Sequence, residues 1–183
     1  MSSDPSFDQT LAAARAGDGR AFEDLYESLS RRVYSFVSLR GASDPEATVN
    51  DVFLKVFLNL GDFVGNEIQF SAWVFKIARN TLIDEARRRQ RRVDESDLDS
   101  AREPAAGDVE SDAIAELGND WINMQLRVLT PEQRDVVVLR IVSDLTIEAI
   151  AEILGKRIGA VKAIQRRAFR TLARNLDDRA VPR

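Results

Sequence analysis

The stretch that most limits what this chain can become lies near its C-terminus, between Thr146 and Arg174. It reads Thr146-Ile-Glu-Ala-Ile-Ala-Glu-Ile-Leu-Gly155-Lys-Arg-Ile-Gly-Ala-Val-Lys162-Ala-Ile-Gln-Arg166-Arg-Ala-Phe-Arg170-Thr-Leu-Ala-Arg174. A short apolar-periodic segment, a turn at Gly155 and a second, basic segment are the sequence form of a helix-turn-helix. The second helix of that motif enters the DNA major groove. Ala151, four residues before Gly155, is small enough for two helices to cross closely, and Ile150, Leu154, Val161 and Ile164 fall where they would share a core. From Lys156 to Arg174 there are seven basic residues and no acidic one. A helical hairpin with a solvated cationic face accounts for the charge alone, but the Ala-x3-Gly-x5-Val spacing favours DNA.

The rest of the chain distributes charge in blocks. The net charge of -4 over 183 residues hides +5 across residues 72–92, -9 across 93–120 and +7 across 156–174. Two basic blocks around an acidic one predict two nucleic-acid contacts, separated by a segment that the same polyanion repels. With no Cys there are neither disulfides nor thiolate metal sites, and with no His the usual zinc ligand and the commonest general base are missing. No cofactor or metal is therefore expected. Asp84 and Glu85 could hold magnesium for a nucleic-acid enzyme, but helix neighbours point about 100° apart and make a poor pair. There is no apolar run near 18 residues and no signal peptide, so a cytoplasmic chain without membrane insertion is expected.

Taken in order, the chain predicts helices throughout. Ser6-Phe-Asp-Gln9 has the form of a capping box, opening a helix that stops at Gly17. Phe22, Leu25, Leu29, Val33 and Phe36 recur at helical steps, with Gly41 as the stop. Asp44-Pro45-Glu46 starts a third helix, which runs to about Leu60. After a loop at 61–67, a helix from about Ser71 to Arg92 is apolar first and basic last. Residues 93–112 lose periodicity and read as a flexible acidic linker. Twenty residues span at most about 70 Å, roughly two turns of B-DNA at about 34–36 Å each. A helix near 113–129, the capping box Thr130-Pro-Glu-Gln133 and its helix then precede the helix-turn-helix. The expected fold is all-α: one helical bundle at 1–92, the linker at 93–112 and a second bundle at 113–183.

The assembled pattern resembles a bacterial RNA polymerase sigma factor of the two-domain, extracytoplasmic-function type. In that family a region 2 domain carries an acidic-aromatic helix followed by an F-x-A-W-[LV]-x-x-I-A-R-N run ending in arginines. Here these read Glu46-Ala-Thr-Val-Asn-Asp-Val-Phe-Leu-Lys-Val-Phe57 and Phe70-Ser-Ala-Trp-Val-Phe-Lys-Ile-Ala-Arg-Asn80. Leu129-Thr-Pro-Glu-Gln-Arg-Asp-Val-Val-Val-Leu-Arg140, followed by the helix-turn-helix, is similar to region 4. Asn50-Asp51 stands where Gln-Glu is usual, Thr48 where Leu is usual, and Lys156 replaces an apolar residue in the turn.

The resemblance implies three sets of working residues. Asn50, Asp51, Phe53, Leu54 and Lys55 would dock on the clamp helices of the polymerase largest subunit, with region 4 on the flap. Phe57 is expected in the core. Arg79, Asn80, Asp84, Arg87 and Arg88 would meet the −10 promoter element, where the duplex opens and a base is held outside the stack. Trp73 is a candidate stacking platform, though one Trp on an apolar helical face is more often core. Lys156, Arg157, Lys162, Gln165, Arg166, Arg167 and Arg170 would meet the −35 element; Arg and Gln have natural partners on guanine and adenine edges. The implied partners are core RNA polymerase, promoter DNA and an anti-sigma factor, and the implied function is promoter-specific initiation without catalysis. The competing function is a helix-turn-helix regulator whose N-terminal bundle senses a signal or dimerises.

Overall fold

The computed structural model describes residues 6–96 and 121–180. Four helices build the N-terminal half: α1 (Phe7–Arg15), α2 (Gly19–Leu39), α3 (Pro45–Asn59) and α4 (Glu67–Ser96). A 3-10 turn, Leu60–Asp62, follows α3. The C-terminal half has a helical turn at 121–126 and then α5 (Pro131–Ile141), α6 (Ile147–Leu154) and α7 (Ile158–Ala180). No strand occurs among the described residues. The Val136–Val138 run is helical and buried within α5.

The helix starts follow local chemistry. Asp18 and Asp44 accept backbone N–H groups from Arg20 and Ala47, both at 2.9 Å, at the heads of α2 and α3. Thr130 and Gln133 cap α5 reciprocally, at 3.3 and 3.1 Å. α4 departs from the sequence reading at both ends. It begins at Glu67 rather than near Ser71, because Asn66 and Gln69 form a reciprocal box of 3.0 and 2.9 Å with Asn in the usual Ser/Thr role. It then continues to Ser96, so the first four residues of the expected linker are helical. The remainder of that linker, and residues 113–120 of the helix expected after it, lie outside the described residues.

The two bundles share one apolar core. α2, α3 and α4 pack around Val33, Phe36, Val52, Val56, Val74 and Phe75, all fully buried. α5, α6 and α7 pack around Val136, Leu139, Ile150, Val161 and Ile164. The halves meet where α6 lies along α4 and α5 touches α2. Residues 121–129 are tied down from both sides: the Arg134 guanidinium donates to the Leu126 carbonyl, and the Asn175 amide donates to Gln125 Oε1 at 2.7 Å. None of the described helices is long and apolar enough to cross a membrane.

Candidate nucleic-acid interface

α6, Gly155 and α7 form the helix-turn-helix that the spacing predicts. Thr146 caps α6 by accepting the Ala149 N–H at 3.2 Å. Gly155 ends the helix in the left-handed conformation, φ +62°, and the Lys156 N–H returns to the Ala151 carbonyl at 2.8 Å. α7 buries Val161, Ile164 and Ala168 on one face. That spacing turns Lys162, Arg166, Arg167 and Arg170 outward, all exposed, with Gln165 half-buried at their edge. Lys162, Gln165, Arg166, Phe169 and Arg170 line a shallow groove of about 510 Å³. Phe169 sits exposed among the cations and is not among the residues that the sequence singles out. Arg157 is exposed at the start of this face. Lys156 differs from the rest: its ammonium pairs with Glu132 of α5 at 2.6 Å, which ties the turn to the helix before it.

A second recess opens between α3 and α4. Lys55, Asn59, Asp62, Phe63, Trp73, Ile77, Asn80 and Asp84 surround a cavity of about 510 Å³. Trp73 is only partly buried and stacks on Phe63, with ring centroids 5.0 Å apart and planes 30° apart. The two rings form an aromatic wall facing polar groups. Lys55, which the resemblance assigns to the polymerase contact, donates from its ammonium to Thr81 Oγ1 at 2.8 Å and lines this recess. Asn80 is exposed at the rim. Asp84 lies 3.7 Å from the exposed Arg87 one turn on, and Arg88 continues the basic end of the helix into solvent. Arg79 points elsewhere, to Asp135 of α5, to which its Nε–H donates at 3.3 Å.

The outer face of α3 carries a third group. Asn50, Asp51 and Leu54 are exposed, whereas Phe53 is buried against Tyr26 with centroids 4.6 Å apart. Phe57, expected in the core, is 53% exposed and rests edge-on against Phe22. Of the two phenylalanines, the one that the resemblance assigns to the polymerase contact is buried, and the one expected in the core is exposed. Both rings rest on aromatic side chains of α2, Phe53 on Tyr26 within the packing and Phe57, one turn on, on Phe22 at its margin. Leu58, at 69% exposure, continues the stripe begun by Leu54 one turn earlier, and its exposure was not legible from type alone.

Comparison with known proteins places both halves. The family model described as Sigma-70 region 2 matches residues 25–92, and the one described as Sigma-70, region 4 matches residues 126–174. The chain belongs to the sigma-70 family. Among curated relatives, the ECF RNA polymerase sigma factor BldN of Streptomyces coelicolor is 33% identical over 178 residues, covering 94% of this chain and 66% of that protein. Among solved structures, CnrH in complex with the cytosolic domain of CnrY aligns with a TM-score of 0.67 at 25% identity, over 92% of this chain and 96% of that one. The sigma factor RpoE of Bartonella quintana, in complex with the anti-sigma factor NepR, shares the fold, with a TM-score of 0.62 at 24% identity over 85% of this chain and 98% of that one. This sigma factor is thus of the extracytoplasmic-function type. Its region 2 comprises most of α2 together with α3 and α4, and its region 4 spans α5 to α7.

Proposed function

We propose that this sigma factor divides promoter-specific initiation between two DNA contacts and one polymerase contact. Region 4 reads duplex DNA at the −35 element through the outward face of α7, with Lys162, Gln165, Arg166, Arg167 and Arg170 as its contacts. Arg157 adds a phosphate contact at the head of the helix, while the ion pair with Glu132 makes Lys156 the least available cation of the set. Region 2 opens the −10 element and receives an unstacked base in the recess between α3 and α4. Asn80 can both donate to and accept from a base edge, Trp73 and Phe63 supply the stacking wall, and Arg87 and Arg88 meet the backbone. Asn50, Asp51 and Leu54, joined by Leu58, dock on core polymerase.

The observation that carries this reading is the recess itself. An aromatic wall, the amides of Asn59 and Asn80 and the Lys55 ammonium line one cavity, with the basic end of α4 continuing beyond it, in the same chain as an exposed basic recognition helix. The factor works in the cytoplasm and carries out no catalysis of its own. Asp84 and Glu85 diverge, Asp84 facing Arg87 and Glu85 accepting from the Thr48 hydroxyl at 3.0 Å. RpoE of Bartonella quintana is seen with an anti-sigma factor, and an anti-sigma protein is proposed here as the partner that restrains this chain.

The test is transcription in vitro with purified core polymerase, after sequencing the DNA that the holoenzyme selects. Lys162→Ala with Arg166→Ala should abolish initiation at the selected promoters while core binding persists. Asn80→Ala should leave −35 binding intact and reduce permanganate reactivity of the −10 thymines. If the wild-type chain neither binds core polymerase nor directs initiation, the reading fails.

A further inference from the structure

The seam between the two halves holds a charge arrangement that neither DNA contact nor polymerase docking requires. Asp135 of α5 is buried, and it faces two arginines that belong to the other half. Arg40, at the end of α2, places its Nε 2.6 Å from Asp135 Oδ1, and Arg79 of α4 donates to Oδ2 at 3.3 Å. The Arg40 contact is close, but its N–H is not aligned with the carboxylate, so that pair is held by charge rather than by a formed hydrogen bond. About two turns earlier on α2, the Arg32 guanidinium lies over the Phe75 ring and donates across the seam to the Ser143 carbonyl. Asp135 is outnumbered. Burial holds the Arg134 guanidinium below its ordinary pKa, the nearby Arg40 and Arg127 lower it further, and Asp135 alone opposes them.

A single carboxylate set among guanidiniums from both halves resembles a phosphate group in charge and in acceptor geometry. Of the five residues assigned to the −10 contact, Arg79 is the one that it holds. The recognition face of α7 stays exposed in this arrangement. Reading two DNA elements well apart, however, requires halves that here share one core to separate.

We propose that Asp135 is an internal stand-in for DNA phosphate, which latches region 4 onto region 2 and withholds Arg79 from −10 DNA in the free protein. The −10 role of Arg79 is the one that the family resemblance implies, and it rests with the functional reading above; the latch itself rests on the seam. Opening exchanges one carboxylate for the phosphates of the promoter. The apparent affinity of a closed protein is reduced by the fraction that is open, so breaking the latch tightens DNA binding without adding a contact.

The experiment uses the full chain, free in solution, as wild type, Asp135→Asn, Asp135→Glu and Arg40→Gln. Arg40 lies outside every assigned DNA contact and approaches the latch from the other half. Small-angle scattering should give a larger radius of gyration for Asp135→Asn and Arg40→Gln than for wild type, with Asp135→Glu near wild type. Binding of a fluorescent single-stranded 20-mer of mixed sequence should tighten about fivefold or more in both opened variants. Circular dichroism separates opening from a folding defect; if Asp135→Asn loses helix, Arg40→Gln decides. Unchanged dimensions and unchanged affinity in Arg40→Gln overturn the latch, and expansion without tighter binding overturns the phosphate-mimic role. Initiation by wild type with core polymerase is measured alongside. Its presence with an unmoved Arg40→Gln sinks the latch alone, whereas its absence sinks the functional reading.

Discussion

At Gly155 the chain turns through a left-handed backbone, φ +62°, and a methyl group built there meets no atom within 4 Å. The cost of Gly155→Ala is therefore conformational alone, about 1–2 kcal/mol. Urea unfolding followed by circular dichroism should show that loss, and Gly155→Asn should recover part of it, since Asn tolerates this conformation. Gly65 is required for a different reason. A Cβ there would lie 2.9 Å from Phe63 Cζ and 2.8 Å from Gln69 Oε1. Gly65→Ala must push the Phe63 ring away from Trp73 or break the box that starts α4. We expect −10 opening to fall while −35 binding is unchanged, as read by permanganate footprinting beside a gel shift on −35 duplex. The same scale marks where sequence reading stops. Thr48 stands out as a departure from the family pattern, but only the structure supplies its partners: its hydroxyl reaches Glu85 of α4 as well as the Asp44 carbonyl at 2.8 Å. That contact lies 37 positions away in sequence, beyond any local pattern.

Among the elements, α6 and α7 were the most legible and α3 the least. A helix-turn-helix is written in local terms: a Thr cap, a small residue, a left-handed Gly and apolar positions at helical steps. Each was present, and Ile150, Val161 and Ile164 are buried as the spacing requires. α3 is apolar on more than one face, so its composition does not say which face meets α2. The structure settles that by burying Phe53 on Tyr26, setting Phe57 on Phe22 at the margin and leaving Leu54 and Leu58 exposed. The start of α4 was missed because Asn66-Glu-Ile-Gln69 looks like loop until its two reciprocal hydrogen bonds are seen. An apolar stripe beside Asn50 and Asp51 has the form of an interface centre with a polar edge. Leu54→Ala and Leu58→Ala should each weaken core polymerase binding by about tenfold, corresponding to about 1.4 kcal/mol. Neither should shift the thermal midpoint by more than a degree or two, because neither side chain is in the core. Fluorescence anisotropy against core polymerase and a melting curve check the pair. A large loss of stability would place these leucines in the fold instead.

At the scale of the whole molecule, the blockwise charge predicted two DNA contacts, but it could not predict that the halves would share a core. Contacts such as Asp135 with Arg40 and Arg79 join residues far apart in sequence, and a lone Asp within α5 looks like ordinary helix surface. The charge pattern does support one further prediction. If region 2 and region 4 were joined only by a passive tether, the part of the expected linker beyond Ser96, about sixteen residues spanning at most about 56 Å, would tolerate almost any phase between the two DNA elements. If both halves are instead docked on polymerase while they read DNA, the phase is fixed. Inserting five base pairs between the selected elements rotates one by about half a helical turn, presenting the wrong face of the duplex to α7. Initiation should then fall at least tenfold, and inserting ten base pairs should restore the face but not the distance. Binding of the free protein to an isolated −35 duplex should be insensitive to both insertions. Run-off transcription from the three templates separates the cases: equal yields would mean a tethered reader, and loss at five base pairs means two anchored ones.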